Sequence, residues 1–198
     1  MSVDGFELLT EAHDYLLAAV RGVPEDAWGA ATPCSEWTVR QVFQHARLDQ
    51  LALVMQITGD APAGDPFAPA DALDGDGRDA VAQLETALEG SMKAWESVRE
   101  AGAVPTPMGP MPAQAATAVA ALDAALHAWD IARATGQDRP LGESLAERLE
   151  TPAAQIVEFV RTSFGKFGAV VDVPADADRA AKLLAFTGRD PLWAPRAV

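Results

Sequence analysis

The segment Ala113 to Gly136 constrains this chain more than any other. It holds no proline, and no glycine before Gly136, and its first half is mostly alanine. The spacing predicts a helix from Ala113 to Thr135, closed by Gly136. A face of alanines suits close approach to a neighbouring helix, so other helices have to be built around it. The second part of the segment, LDAALHAWDIARATGQ, puts Asp123 and His127 four residues apart and therefore on one face. Asp123 sits in the apolar run VAALDAAL. A buried carboxylate there is costly without a partner. A metal ion, an arginine or a histidine proton would each remove the cost.

The remaining periodicities are also helical. Residues 4–21 carry Phe6, Leu9, His13, Leu16, Leu17 and Val20 as a stripe. Gly22, Pro24 and the run Gly29–Pro33 then mark a loop, the run bracketed by Trp28 and Trp37. Thr38 and Gln41 form a capping box that opens a second helix, expected to run to Thr58 with Gly59 as its stop. Residues 59–77, rich in Gly, Pro, Asp and Ala, read as a surface crossover. A third helix is expected over 78–100, then a stiff proline connector, PTPMGPMP, at Pro105–Pro112. Leu141–Ser163 and residues 178–187 read as two further helices, with a short extended piece at Ala169–Val173 between them. The tail GRDPLW, Gly188–Trp193, is expected to dock back on the body. Strand signals are almost absent. The fold class expected is all-α: a four-helix bundle with long crossovers and a small C-terminal helical appendage. Residues 1–137 would form the bundle and 138–198 the extension, packed as one globular unit.

Composition narrows the function. A net charge of −14 argues against nucleic acid and against an anionic membrane surface, since both need clustered lysine and arginine. Cys34 is the single cysteine, so no internal disulfide forms, and a reducing, cytoplasmic setting fits. The longest apolar run near the middle, Leu51–Met55, is too short to span a bilayer. Motifs of serine hydrolases, P-loops, dinucleotide folds and H-E-x-x-H proteases are missing.

The chemistry rests on three histidines, His13, His45 and His127. A histidine on an apolar helix face is ordinarily a satisfied interior residue, and His13 is read so. Asp123 and His127 alone could be a simple side-chain pair on one helix. A bound metal would need a third ligand from elsewhere, and His13 and His45 are the only other histidines; one of them would complete a set of two nitrogens and one carboxylate. Such a set leaves an open coordination position, which is what catalysis needs. Cys34, just ahead of the second helix, is either a thiol activated by the helix N-terminus or a small packing residue in the TPCSEW turn. Asp49 and Asp130 are candidates to orient ligand histidines, or to bridge to Arg40, Arg133 or Arg189.

The string TPCSEWTVRQVFQH (residues 32–45), with HAWDIARATGQ (127–137) and LLAFTGRDP (183–191), resembles the DinB/YfiT-like superfamily of metalloenzymes. Within it, the chain looks like the actinobacterial branch related to the metal-binding domain of mycothiol-dependent maleylpyruvate isomerase. The resemblance runs from the first helix to the GRDP tail. It implies a divalent metal, zinc or nickel, held by His45, Asp123 and His127. Asp123 falls where the isomerase has Glu; it is one methylene shorter but a competent zinc ligand. The resemblance further implies a low-molecular-weight thiol, mycothiol in this branch, acting on an electrophilic substrate by thiol transfer or thiol-assisted isomerisation. The family's habit allows a homodimer, though no sequence patch points to one. The isomerase has an additional C-terminal region that this chain is expected to be too short to carry in full. The alternative is a non-catalytic helical binding protein that keeps the bundle but has a degenerate metal site.

Overall fold

The computed structural model describes residues 4–70, 77–106 and 108–195. Seven helices follow in order: α1 Gly5–Arg21, α2 Val39–Ala52, α3 Met55–Thr58, α4 Gly77–Ser97, α5 Ala113–Ala134, α6 Glu143–Phe164 and α7 Arg179–Phe186, with a 3-10 turn at Glu25–Ala27. Among the described residues there is no strand, only isolated bridges at Ala31 with Thr38 and Val104 with Met111. No helix among them is long and apolar enough to cross a membrane.

The all-α architecture is organised around α5, as its composition predicts. Of its 22 residues 18 are buried, so it is covered on nearly every side. It packs on α1, α2 and α6, while α4 closes against α1 and α2, and α7 lies on α6. The alanines do what small side chains allow. At the start of α1, a Cβ on Gly5 would stand 2.1 Å from the Gln114 carbonyl oxygen and 2.5 Å from the Thr117 hydroxyl, so only glycine admits this approach of α1 to α5. The Gly5 N–H also donates to the Gln114 side chain at 2.7 Å.

Local signals set the helix ends. Asp4 accepts from the N–H groups of Phe6 and Glu7 to cap α1. Thr38 and Gln41 form the expected reciprocal box at the start of α2. After α5, Gly136 takes φ 67°, and Gln137 N–H reaches back to the Ala132 carbonyl at 2.9 Å, a Schellman closure.

One expectation needs correcting. The second helix does not run unbroken to Thr58: α2 stops at Ala52, and a single turn, α3, follows. The Val54 N–H bonds the Leu51 carbonyl three residues back, which tightens the chain and tucks Val54 into the core at 2% exposure. Gly59 then ends α3 in the left-handed region, as expected. Ala169–Val173 forms no strand, although Val171 N–H bonds the Ala185 carbonyl.

The chain after α5 docks closely. Glu143, the first residue of α6, accepts from the backbone N–H groups of Arg179 and Ala180 at the start of α7. Arg161 donates to the carbonyls of Gly168 and Phe186. Beyond α7, Gly188 adopts φ 83° and lies so close to Gly168 that a Cβ would meet its backbone at 2.7 Å. That turn sends Arg189 inward, where it is 7% exposed.

Candidate metal centre

The second helix delivers His45 and the fifth delivers Asp123 and His127. His45, Asp123 and His127 offer ligand atoms that all lie within 4.8 Å of one another. His127 Nε2 is 3.4 Å from Asp123 Oδ1, and His45 Nε2 is 3.8 Å from the same oxygen. Donors about 2.0–2.2 Å from one tetrahedral ion stand roughly 3.3–3.6 Å apart, so these separations are close to what a shared ion requires. The two imidazoles meet edge to face, with centroids 4.6 Å apart.

What prepares the pair is the other nitrogen of each ring. His45 Nδ1 donates to the Pro66 carbonyl at 2.7 Å, and His127 Nδ1 donates to Asp130 Oδ2 at 3.0 Å. Acceptors on Nδ1 keep a proton there and leave Nε2 as the ring nitrogen that faces Asp123. Asp123 is held as well. Its Oδ2 accepts from Gln50 Nε2 at 3.1 Å, and that amide also donates to the Ala120 carbonyl. With both amide protons used, Gln50 Oε1 is left to accept from His13 Nε2 at 2.8 Å. His13 is therefore an interior residue, as read from its stripe.

Electrostatics separate the two facing histidines. Burial, reinforced by the neighbouring His127, pushes His45 down to about 4. Burial alone would also lower His127, but the Asp123 charge and hydrogen bonds to Asp123 and Asp130 outweigh it and raise the ring well above 6.5. Asp123 is correspondingly lowered: burial works against ionisation, and His127 overcomes it. Asp123 keeps 19% side-chain exposure where His45 and His127 keep 6% and 9%, so the carboxylate side is the most open. Beside His45, Trp37 packs at 4.7 Å and Phe67 at 5.6 Å, with Lys166 Nζ 4.4 Å above the Phe67 ring.

A second acidic-thiol group lies on the far side of His127. Cys34 Sγ donates to Asp130 Oδ2 at 3.1 Å, and Arg189 binds both Asp130 oxygens at 2.9 and 2.7 Å. Cys34, His127 and Asp130 are near enough to share an ion. The guanidinium already supplies the positive charge there, and the His127 atom on that side is Nδ1.

The chemistry of the donor set therefore fits a divalent metal at His45, Asp123 and His127. A family model of the mycothiol maleylpyruvate isomerase N-terminal domain matches residues 9–132, a span that contains all three. The chain belongs to that family. Two uncharacterised proteins of Mycobacterium tuberculosis, one from strain CDC 1551 / Oshkosh and one from strain ATCC 25618 / H37Rv, are each 30% identical over 188 residues, covering 90% of this chain and 93% of theirs. A crystal structure of the mycothiol-dependent maleylpyruvate isomerase superposes with a TM-score of 0.67 at 16% identity, covering 95% of this chain and 89% of that one. A mutant form of the same isomerase gives 0.67 at 17% identity, with 94% and 89% covered. At such identities the likeness is one of fold.

Within this family member, several supporting residues escape sequence reading. Gln50 is a polar residue facing the interior of α2, a signal that could have drawn attention. The Pro66 carbonyl carries no sequence signal at all. Asp130 takes the orienting role, and of its candidate partners Arg189 is the one it meets. Asp49 does not orient His45, whose Nδ1 is taken by Pro66; burial and the facing Asp123 raise its carboxyl instead. Cys34 is not an activated thiol: burial and the Asp130 charge push its pKa up.

Proposed function

We propose that this protein is a metal-dependent enzyme of thiol-transfer or thiol-assisted isomerisation type, with a zinc or nickel ion held by His45, Asp123 and His127. The observation that carries this reading is the convergence of both Nε2 atoms on Asp123 Oδ1 while both Nδ1 atoms are hydrogen-bonded away from it. When bound, the ion supplies Lewis acidity that lowers the pKa of a thiol at the open position and yields a nucleophile at neutral pH. The names of the family and of the structural neighbour point to mycothiol as that thiol, acting on a small electrophile in a cytoplasmic setting. Residues 1–137 form the metal-holding bundle in this reading and 138–198 its packed extension.

The chain's own groups have definite tasks. Asp123 balances charge and is steered by Gln50. His127, once deprotonated at Nε2, would hold the ion through that atom, while its Nδ1 proton stays on Asp130. His45 is already neutral near pH 7 and needs no deprotonation. Trp37 and Phe67 present apolar surface beside His45 and restrict water.

The second reading is a non-catalytic binding protein. It draws on the same His127–Asp123 pair, which satisfies the buried carboxylate without any ion. Metal analysis of untagged protein separates the two. The enzyme reading expects about one equivalent of zinc or nickel, lost in the His45→Ala, His127→Ala double variant, and turnover of an electrophile by mycothiol. Equal metal content in parent and variant overturns it.

A further inference from the structure

We propose that Arg189, from the turn after α7, is a positioning residue for the metal centre, acting through Asp130 on His127. This inference rests on the metal-dependent reading above and extends it to a residue outside the matched family span of 9–132. Among the described residues the Arg189 side chain hydrogen-bonds to Asp130 and Cys34, not to His45 or Asp123. It acts from behind.

The geometry is a short relay of fixed parts. Asp130 is wholly buried on α5, and its carboxylate plane is set by two guanidinium bonds, Nε to Oδ1 at 2.9 Å and Nη2 to Oδ2 at 2.7 Å. Paired bonds of this kind fix a carboxylate in rotation as well as in place. Oδ2 then accepts from His127 Nδ1 at 3.0 Å and from Cys34 at 3.1 Å. The ring of His127 is thus oriented, with Nε2 toward Asp123. Without Arg189, nothing else among these contacts fixes the tilt of the Asp130 carboxylate, and the imidazole loses a defined acceptor.

The C-terminal residues are arranged to hold Arg189 where it is. Arg189 N–H bonds the Leu184 carbonyl at 2.9 Å, Gly188 takes the left-handed conformation, and Gly168 packs against it. Arg161 ties the Gly168 and Phe186 carbonyls together across that turn. A second tail contact, Arg133 Nε to the Trp193 carbonyl, docks the end of the chain without touching Asp130. The two contacts separate positioning from mere docking of the tail.

The test uses the full chain with Zn2+ as the probe, in five forms: Arg189→Met, Arg189→Lys, Asp130→Asn, the Arg189→Met, Asp130→Asn double variant, and Arg133→Ala as a docking control. Zinc affinity is measured by competition with a chromophoric chelator. Removing an outer partner of a ligating histidine typically costs 10–100-fold in affinity, and that loss is expected for Arg189→Met and Asp130→Asn. Arg189→Lys should recover part of it, and Arg133→Ala should stay within about threefold of the parent, because it leaves the relay whole. The double variant should bind within about twofold of Asp130→Asn alone, since both act along one path. A second readout needs no metal: in 15N-histidine-labelled, metal-free protein, the Nδ1 proton of His127 should exchange slowly with water in the parent and in Arg189→Lys, and quickly in Arg189→Met. Parent-like zinc affinity together with a protected Nδ1 proton in Arg189→Met overturns the proposal, and so does full additivity in the double variant. Should Arg189→Met not fold, the lysine and asparagine variants decide by the same two readouts. If the parent itself binds no zinc, the metal-dependent reading fails, while the Nδ1 proton still judges the part played by Arg189.

Discussion

His45 and His127 face each other across one carboxylate, yet the molecule holds them by opposite means. His45 is anchored through a backbone carbonyl, Pro66, in the crossover, and packed between Trp37 and Phe67. Burial, reinforced by the neighbouring His127, outweighs the Asp123 charge and the Pro66 hydrogen bond, so the ring is pushed down to about 4. His127 lies between two carboxylates, Asp123 and Asp130, and is raised well above 6.5. One histidine is ready to bind a cation and the other must first lose a proton. Burial is nearly equal for the two, so charge in the surroundings, not depth, sets the protonation state.

The largest way to break this contrast is to remove the cation behind it. Arg189→Met leaves two buried carboxylates, Asp130 and Asp123, sharing the single positive charge of His127, and stripping one partner from a buried ion pair costs about 3–5 kcal/mol. Urea denaturation of the metal-free protein should show that loss. The Arg189→Met, Asp130→Asn double variant, which removes both charges, should recover much of it.

The pH dependence of metal-free stability sharpens the contrast from both sides. His45 titrates near 6.5 when unfolded and about 4 when folded, so the unfolded chain binds more protons between those values and stability falls as pH drops through that window. Compared with His45→Gln, the parent should lose about 3 kcal/mol more on going from pH 6.5 to 4. His127 carries the other sign. Its folded value is raised, so its contribution is fully present below 6.5 and is lost as pH climbs through the folded value. His127→Gln should flatten that alkaline limb and leave the acid limb in place.

How much of this was legible beforehand depends on distance along the chain. Helix ends were readable because their signals are local: Thr38 with Gln41, and Gly59 and Gly136 as stops. Asp123 and His127 were readable for the same reason, being one turn apart on a helix. His45 joined them through the resemblance, since no spacing rule links residue 45 to residue 127. The break at Leu53–Val54 was not legible, because it is the core that draws Val54 inward. The Gln50–Asp123 and Asp130–Arg189 contacts span 73 and 59 residues, and pairing at that range is decided by packing. Arg189 could be named as one candidate among three; only the fold selects it.

Smaller effects test the edges of the contrast. Gly188→Ala places a side chain at φ 83°, against Gly168, and should cost about 1–3 kcal/mol while loosening the turn that carries Arg189. Thermal denaturation measures it, and zinc affinity should fall in step. Cys34 gives the smallest effect. Its raised pKa predicts alkylation at pH 7.5 slower than that of a free thiol, and a thiol trace that matches an exposed cysteine would contradict the burial and charge assigned to it.

The central claim is that His45, Asp123 and His127 hold one ion through both Nε2 atoms and the carboxylate. A crystal structure of the zinc-loaded protein, with anomalous scattering recorded on both sides of the zinc edge, tests it most directly. The account predicts a single peak about 2.0–2.2 Å from His45 Nε2, His127 Nε2 and an Asp123 oxygen, with both Nδ1 atoms still bonded to Pro66 and Asp130. A peak at Cys34 and Asp130, a histidine bound through Nδ1, or no peak at the three residues would contradict it.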